Sequence, residues 1–203
     1  IDGLINEYKD DCVILENGMI YNARGMDGLE TVETEKLGML EAFYTSGGAS
    51  HTIESMKERG VKNCSYKTLR YPGHGNIVKF LIRDCELGDE ALHKIFTKGC
   101  GYVEKDEVII VARVCKDNKT WSEEKLIKAD EKPRMGMKKG FSAMQKATAF
   151  PIASVASIMS EGFFDGDKEQ HRDYYTKYSR ALSYADIPFE KFNENLGKLN
   201  DGP

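Results

Sequence analysis

Two stretches of the 203-residue chain concentrate side chains and backbone that can do chemistry. In Lys67-Thr68-Leu69-Arg70-Tyr71-Pro72-Gly73-His74, two cations, a phenol and an imidazole follow one another closely. A guanidinium presents a planar fork that grips a carboxylate through two parallel hydrogen bonds, which suits an amino-acid ligand. Arg70 is therefore the candidate carboxylate binder, with a surface ion pair as the plain alternative. His74 titrates near neutral pH and is the candidate for proton transfer, against the alternative of a solvated loop histidine. In the second stretch, Thr45-Ser46-Gly47-Gly48, the missing side chains let backbone N–H groups approach an anion beside the start of a following helix. A simple tight turn explains the same glycines.

The elements that carry these stretches follow from pattern. Leu40 to Tyr44 reads as a strand that runs through the Gly47-Gly48 loop into a helix over about 50–59, stopped by Gly60. Ser65 to Tyr71 alternates as a strand does, and Pro72-Gly73-His74-Gly75 reads as a loop, because Pro and Gly interrupt regular structure. Ile77, Phe80 and Leu81 mark the next helix, which fades near Gly88, and Glu90 to Phe96 a short one after it. In a strand, Arg70 shares a face with Thr68 while Lys67 points the other way.

Two hairpins frame this region. Cys12 to Leu15 and Met19 to Tyr21 are β-rich runs joined by Asn17-Gly18, a pair that readily takes φ > 0. Glu107 to Lys116, rich in Val and Ile, turns at Asp117-Asn118 into Thr120 to Ile127. From Met137 onwards, Phe141, Met144, Ala147, Thr148, Ile152, Val155, Ala156 and Met159 follow a helical period that Gly162 ends, with a kink or break expected at Pro151. A polar and aromatic tail from Gln170 to Leu182 precedes a last helix ending near Leu199. Tyr174, Tyr175 and Tyr178 within that tail fit either packing or an interface. The expected fold is α+β: a mixed, largely antiparallel sheet with helices packed on one face, plus a C-terminal helical segment. The expected division is 1–136 and 137–203.

Composition narrows the classes of function. With 29 basic and 33 acidic residues interspersed along the chain, there is no basic stripe of the kind that tracks nucleic acid. No apolar run approaches the roughly 20 residues of a membrane span. Five cysteines, at 12, 64, 85, 100 and 115, are odd in number and contain no C-x-x-C; the histidines at 51, 74, 93 and 171 lack metal-binding spacing. No metal is expected, and a reducing cytoplasm is the expected compartment. The chain opens on Ile1 without a charged and then apolar leader, and is expected to be a piece of a longer one. No phosphate loop or G-x-G-x-x-G occurs.

Four strings in order, Gly3-Leu4-Ile5-Asn6-Glu7-Tyr8, Glu41-Ala42-Phe43-Tyr44-Thr45-Ser46-Gly47-Gly48, Thr68-Leu69-Arg70-Tyr71-Pro72-Gly73-His74 and Met144-Gln145-Lys146-Ala147-Thr148-Ala149-Phe150-Pro151, resemble the C-terminal part of the saccharopine dehydrogenase family. The match is nearest its lysine 6-dehydrogenase-like members. The resemblance implies a substrate-binding and dimerisation domain at 1–136. It implies a helical segment at 137–203 that packs towards an N-terminal Rossmann domain lying before Ile1. NAD or NADP would bind that missing domain, and none is expected to bind this chain alone, which would not turn over by itself. The implied activity is that of an NAD(P)-dependent oxidoreductase acting on lysine, saccharopine or a related amino acid; a stand-alone, non-catalytic amino-acid-binding or dimerisation protein is the alternative. By resemblance Arg70 meets the substrate carboxylate, Ser46, Gly47 and Gly48 shape the pocket, and Tyr71, His74 and Thr148 are further site candidates. A homodimer is the implied assembly, with neither nucleic acid nor membrane as partner.

Overall fold

The computed structural model describes residues 1–49, 51–134, 136–161 and 186–201. The chain forms two compact units, Ile1–Tyr102 and Val103–Pro203. This division falls earlier than the 136/137 boundary read from the sequence, because the hairpin at 107–128 packs with the long helix that follows position 136.

In the first unit, α1 (Asp2–Lys9) buries Ile5 and Tyr8, three residues apart on one helical face. Asp2 sits in its first turn, where the positive end of the helix dipole favours an acid. β1 (Cys12–Glu16) and β2 (Met19–Ala23) form the expected hairpin. Asn17 and Gly18 at its turn have φ of 52° and 80°, the two left-handed conformations of a type I′ turn. Leu15 and Cys64 exchange two backbone hydrogen bonds of 2.9 Å, tying the hairpin to the segment that leads into β5.

β3 (Glu30–Thr34), β4 (Gly38–Tyr44) and β5 (Lys67–Arg70) form an antiparallel sheet with β4 in the centre. Leu40, Glu41, Ala42 and Phe43 are consecutive and all buried, so β4 is covered on both faces. The helices are α2 (Thr52–Glu58), α3 (His74–Lys79), which passes into a π-helical turn at Phe80–Asp84, and α4 (Asp89–Gly99). Ile5, Tyr8, Met26, Phe43, Val78, Leu92 and Phe96 make one core cluster, so α1, β4, α3 and α4 meet around the Tyr8 and Phe43 rings. Those rings pack edge to face at 5.5 Å between centroids.

The second unit is built from the hairpin β6 (Glu107–Lys116) and β7 (Lys119–Lys128), then α5 (Ala143–Ser160) and α6 (Phe189–Asp201). The N-terminus of α5 is fully engaged. Ser142 Oγ accepts from the Gln145 amide, Gln145 Oε1 accepts from the Ser142 amide, and the Asp106 carboxylate accepts from the amides of Ala143 and Met144. The break expected at Pro151 does not occur, and α5 is one continuous helix. Phe150, Ser154 and Ile158 are buried along it, and Ser154 Oγ donates to the Phe192 carbonyl of α6 at 2.9 Å. Asp130 organises the other end of the unit: its carboxylate takes two hydrogen bonds from Arg134, one from the Phe141 amide and one from Lys146. Arg134 also donates to the carbonyls of Leu199 and Asn200, capping α6.

The expected α+β class is what the structure shows; among the described residues every strand pair is antiparallel, and the pairs fall in three separate sheets rather than one. Two elements, α1 and β3, carried no pattern strong enough to read beforehand. The loop expected over 72–75 is shorter, since α3 already begins at His74 after Gly73 turns the chain with φ of 94°. The aromatic tail with Tyr174, Tyr175 and Tyr178 lies outside the described residues. Among the described residues no helix is long and apolar enough to cross a membrane.

Candidate functional site

The site grows from the end of β5. Antiparallel pairing sets Arg70 opposite Glu41, Leu69 opposite Ala42, Thr68 opposite Phe43 and Lys67 opposite Tyr44. Arg70 and Thr68 therefore share a face with Glu41 and Phe43, the face expected from alternation. α1 delivers Tyr8 against the same face, and the Gly73 turn brings His74 back beside it.

Three polar groups converge there. Tyr8 Oη lies 3.0 Å from His74 Nε2, and Arg70 Nε donates to the same hydroxyl at 2.9 Å. The guanidinium carbon sits 5.8 Å from the centre of the Tyr8 ring. Arg70 Nη1 donates to its neighbour's carbonyl, Leu69 O, at 2.9 Å. A guanidinium has five N–H donors, and Nη2 has no hydrogen-bond partner among the described residues. Arg70 and His74 are half-buried, whereas Tyr8 is 1% exposed. The His74 ring meets Tyr8 edge on at 5.7 Å and runs parallel to Phe43 at 6.3 Å.

The electrostatics follow from this packing. Burial pushes the Tyr8 phenol up from its ordinary value, and the adjacent Arg70 opposes that shift. Burial also lowers the His74 imidazole, Arg70 adds to the lowering, and Glu41 works against it. A neutral imidazole beside a neutral phenol and a fixed cation can pass a proton along the Tyr8 hydroxyl, while the guanidinium N–H groups not used by Tyr8 and Leu69 remain to donate to a carboxylate.

The second cation of the stretch is occupied elsewhere. Lys67 Nζ donates to Gly28 O at 2.6 Å and pairs with Glu30 at 2.9 Å, with the Tyr44 ring 4.8 Å away.

The remaining candidates separate. Ser46, Gly47 and Gly48 follow β4 at the end where β5 begins, whereas Arg70 is where β5 finishes. The register sets Tyr44, the last residue of β4 before that turn, about 10 Å from Arg70 along the strand direction. Ser46 N donates to the Glu7 carbonyl at 2.9 Å, so one of the expected anion donors is already used inside the fold. Gly47 has φ of 83°, and an added Cβ at Gly48 would overlap the Tyr66 ring. A left-handed turn and a close ring account for both glycines. Tyr71 is 67% exposed and points out to solvent. Thr148 belongs to the second unit, exposed on α5, with its hydroxyl donating to the Met144 carbonyl one turn earlier. Among the described residues no group of His, Cys, Asp or Glu is arranged to hold a metal ion.

Sequence reasoning missed Tyr8 and Glu41 as site residues. Both stand inside strings quoted for the family resemblance, but neither carries a spacing that announces its role. A search of protein-family models finds none that matches the chain.

Proposed function

We propose that this chain is the substrate-binding part of an NAD(P)-dependent oxidoreductase that acts on lysine, saccharopine or a related amino acid. The observation that carries the reading is the arrangement of Arg70 beside the Tyr8 and His74 pair: one group to hold an α-carboxylate and two to handle a proton. The Thr68-Leu69-Arg70-Tyr71-Pro72-Gly73-His74 string, which resembles the saccharopine dehydrogenase family, supports the substrate class.

Every described strand pair is antiparallel, so no described βαβ unit offers a phosphate-binding turn. On this reading the cofactor sits on an N-terminal Rossmann domain, and this chain supplies the substrate contacts and a homodimer interface. The cysteines at 12, 64, 85, 100 and 115 are all free thiols, which supports a cytoplasmic location.

Calorimetric titration of the full chain with L-lysine and with its decarboxylated analogue, 1,5-diaminopentane, tests the carboxylate assignment. Lysine is expected to bind, the diamine to bind at least tenfold more weakly, and Arg70→Ala to remove the difference. Equal binding of both ligands by the unaltered chain, or no response to lysine, overturns it.

A further inference from the structure

Among the described residues Glu41 is the carboxylate held inside this site, and it does not pair with the cation opposite it. It lies on central strand β4, directly across the ladder from Arg70, and is 9% exposed. Its Oε1 accepts the Gly73 amide at 2.7 Å and its Oε2 accepts the Gly75 amide at 2.8 Å. Both bonds are charge-assisted and hold the two residues flanking His74. The fit is close: a Cβ on Gly75 would come 3.1 Å from Oε2, 2.9 Å from Leu29 Cδ1 and 3.2 Å from Phe43 Cδ1. Gly75 thus lets the backbone reach the carboxylate.

We propose that Glu41 is the positioning residue of the site: by clamping the amides on either side of His74 it fixes the imidazole against Tyr8, and by spending both oxygens there it leaves Arg70 to a ligand. The clamp explains why the chain can turn sharply at Gly73 and start a helix at once, with no capping side chain of its own. It also explains why two opposite charges on facing strand positions remain apart. An Arg70 neutralised by Glu41 would have little left for a substrate carboxylate. The second half of the inference rests on the amino-acid reading of Arg70; the first half does not.

The groups that face the His74 ring are Tyr8 from α1, Glu41 from β4 and Arg70 from β5, and these set its titration. The test is an NMR titration of the histidine rings in the full chain, with the His74 signals assigned by their loss in His74→Asn. Glu41→Gln removes the charge that favours the imidazolium and turns an NH2 towards an amide that needs an acceptor. The His74 midpoint is expected to fall by about half a pH unit or more, and the contact between the His74 and Tyr8 rings to weaken. Lysine affinity, measured alongside, is expected to drop about tenfold.

Gly75→Ala supplies a second variant that keeps the charge and crowds the clamp. Its folded form is expected to lose the Tyr8 to His74 ring contact. An unshifted His74 midpoint in Glu41→Gln overturns the inference. If that variant does not fold, an intact ring contact with full lysine affinity in Gly75→Ala overturns it. A shifted midpoint in a chain that binds no lysine keeps the positioning role and sinks the amino-acid reading instead.

Discussion

Tyr8 Oη and His74 Nε2 are 3.0 Å apart although 66 positions separate the residues in the chain, and the same hydroxyl accepts the Arg70 Nε proton. A single phenol oxygen thereby joins the first helix, the edge strand β5 and the start of α3. Its loss touches all three.

Tyr8→Phe keeps the ring and its packing but leaves a half-buried imidazole nitrogen and a half-buried guanidinium N–H without their partner. The expected cost is about 1–3 kcal/mol of folding stability. Urea unfolding measures it as a lower midpoint at unchanged slope. A midpoint equal to that of the unaltered chain would show that the hydroxyl contributes nothing to the fold.

Alkaline titration reads the same phenol differently. Burial raises the Tyr8 phenol above its ordinary value, so its contribution to stability is fully present below about pH 10 and is lost as pH rises through the folded-state value. Tyr21 also titrates late, pushed up to about 12 by the Glu16 carboxylate it donates to. In a Tyr21→Phe background, the tyrosinate absorbance is expected to keep a late-ionising component that Tyr8→Phe then removes. If adding Tyr8→Phe leaves the late part of the curve unchanged, the burial argument for this phenol is wrong.

In the second unit, Asp130 is the acid whose protonation matters most. Hydrogen bonds from Arg134 chiefly, then from the Phe141 amide and Lys146, hold its carboxyl well below the usual carboxylate range. A depressed acid contributes stability that is present above its ordinary value and lost as pH falls through the folded one. Asp130→Asn is expected to cost about 3 kcal/mol, because Arg134 and Lys146 are both nearly buried and lose their counter-charge. Thermal melts between neutral pH and pH 2 should show the unaltered chain losing stability steeply at the acid end, and the variant starting lower with a flatter fall. Parallel curves would rule out Asp130 as the source of acid sensitivity.

Gly48 separates a packing requirement from a ligand requirement. Its added Cβ would overlap the Tyr66 ring, which is 43% exposed and has room to move. Gly48→Ala is expected to destabilise by about 1–2 kcal/mol, and Tyr66→Ala to remove most of that penalty in the double variant. Lysine affinity should stay within twofold throughout. A large loss of affinity in Gly48→Ala at full stability would return this glycine to the binding site.

Local chemistry announced much of the fold. Asn17-Gly18 can take the turn it takes because one residue tolerates, and the other lacks the Cβ that resists, positive φ. The Val- and Ile-rich run over 107–116 and the helical period after 141 do the same for β6 and α5, since β-branched side chains suit a pleated strand and a helix imposes a period of 3.6 on its apolar face. Pro151 does not end α5, because the cost of a missing backbone hydrogen bond is local while Phe150, Ser154 and Ile158 are buried on either side of it.

Residue type alone singled out Arg70 and His74, through a guanidinium fork and a pKa near neutrality. Which atoms they would meet was a different question. Tyr8 looks like an ordinary apolar helix position, and Glu41 like a polar residue in a strand. Only the β4 and β5 register, the Gly73 turn and the burial of α1 against Phe43 bring the phenol and the carboxylate to the site. Sequence fixes what each side chain can donate, accept or carry. Contacts across more than 60 positions depend on how several buried faces pack at once, and no local spacing encodes that packing.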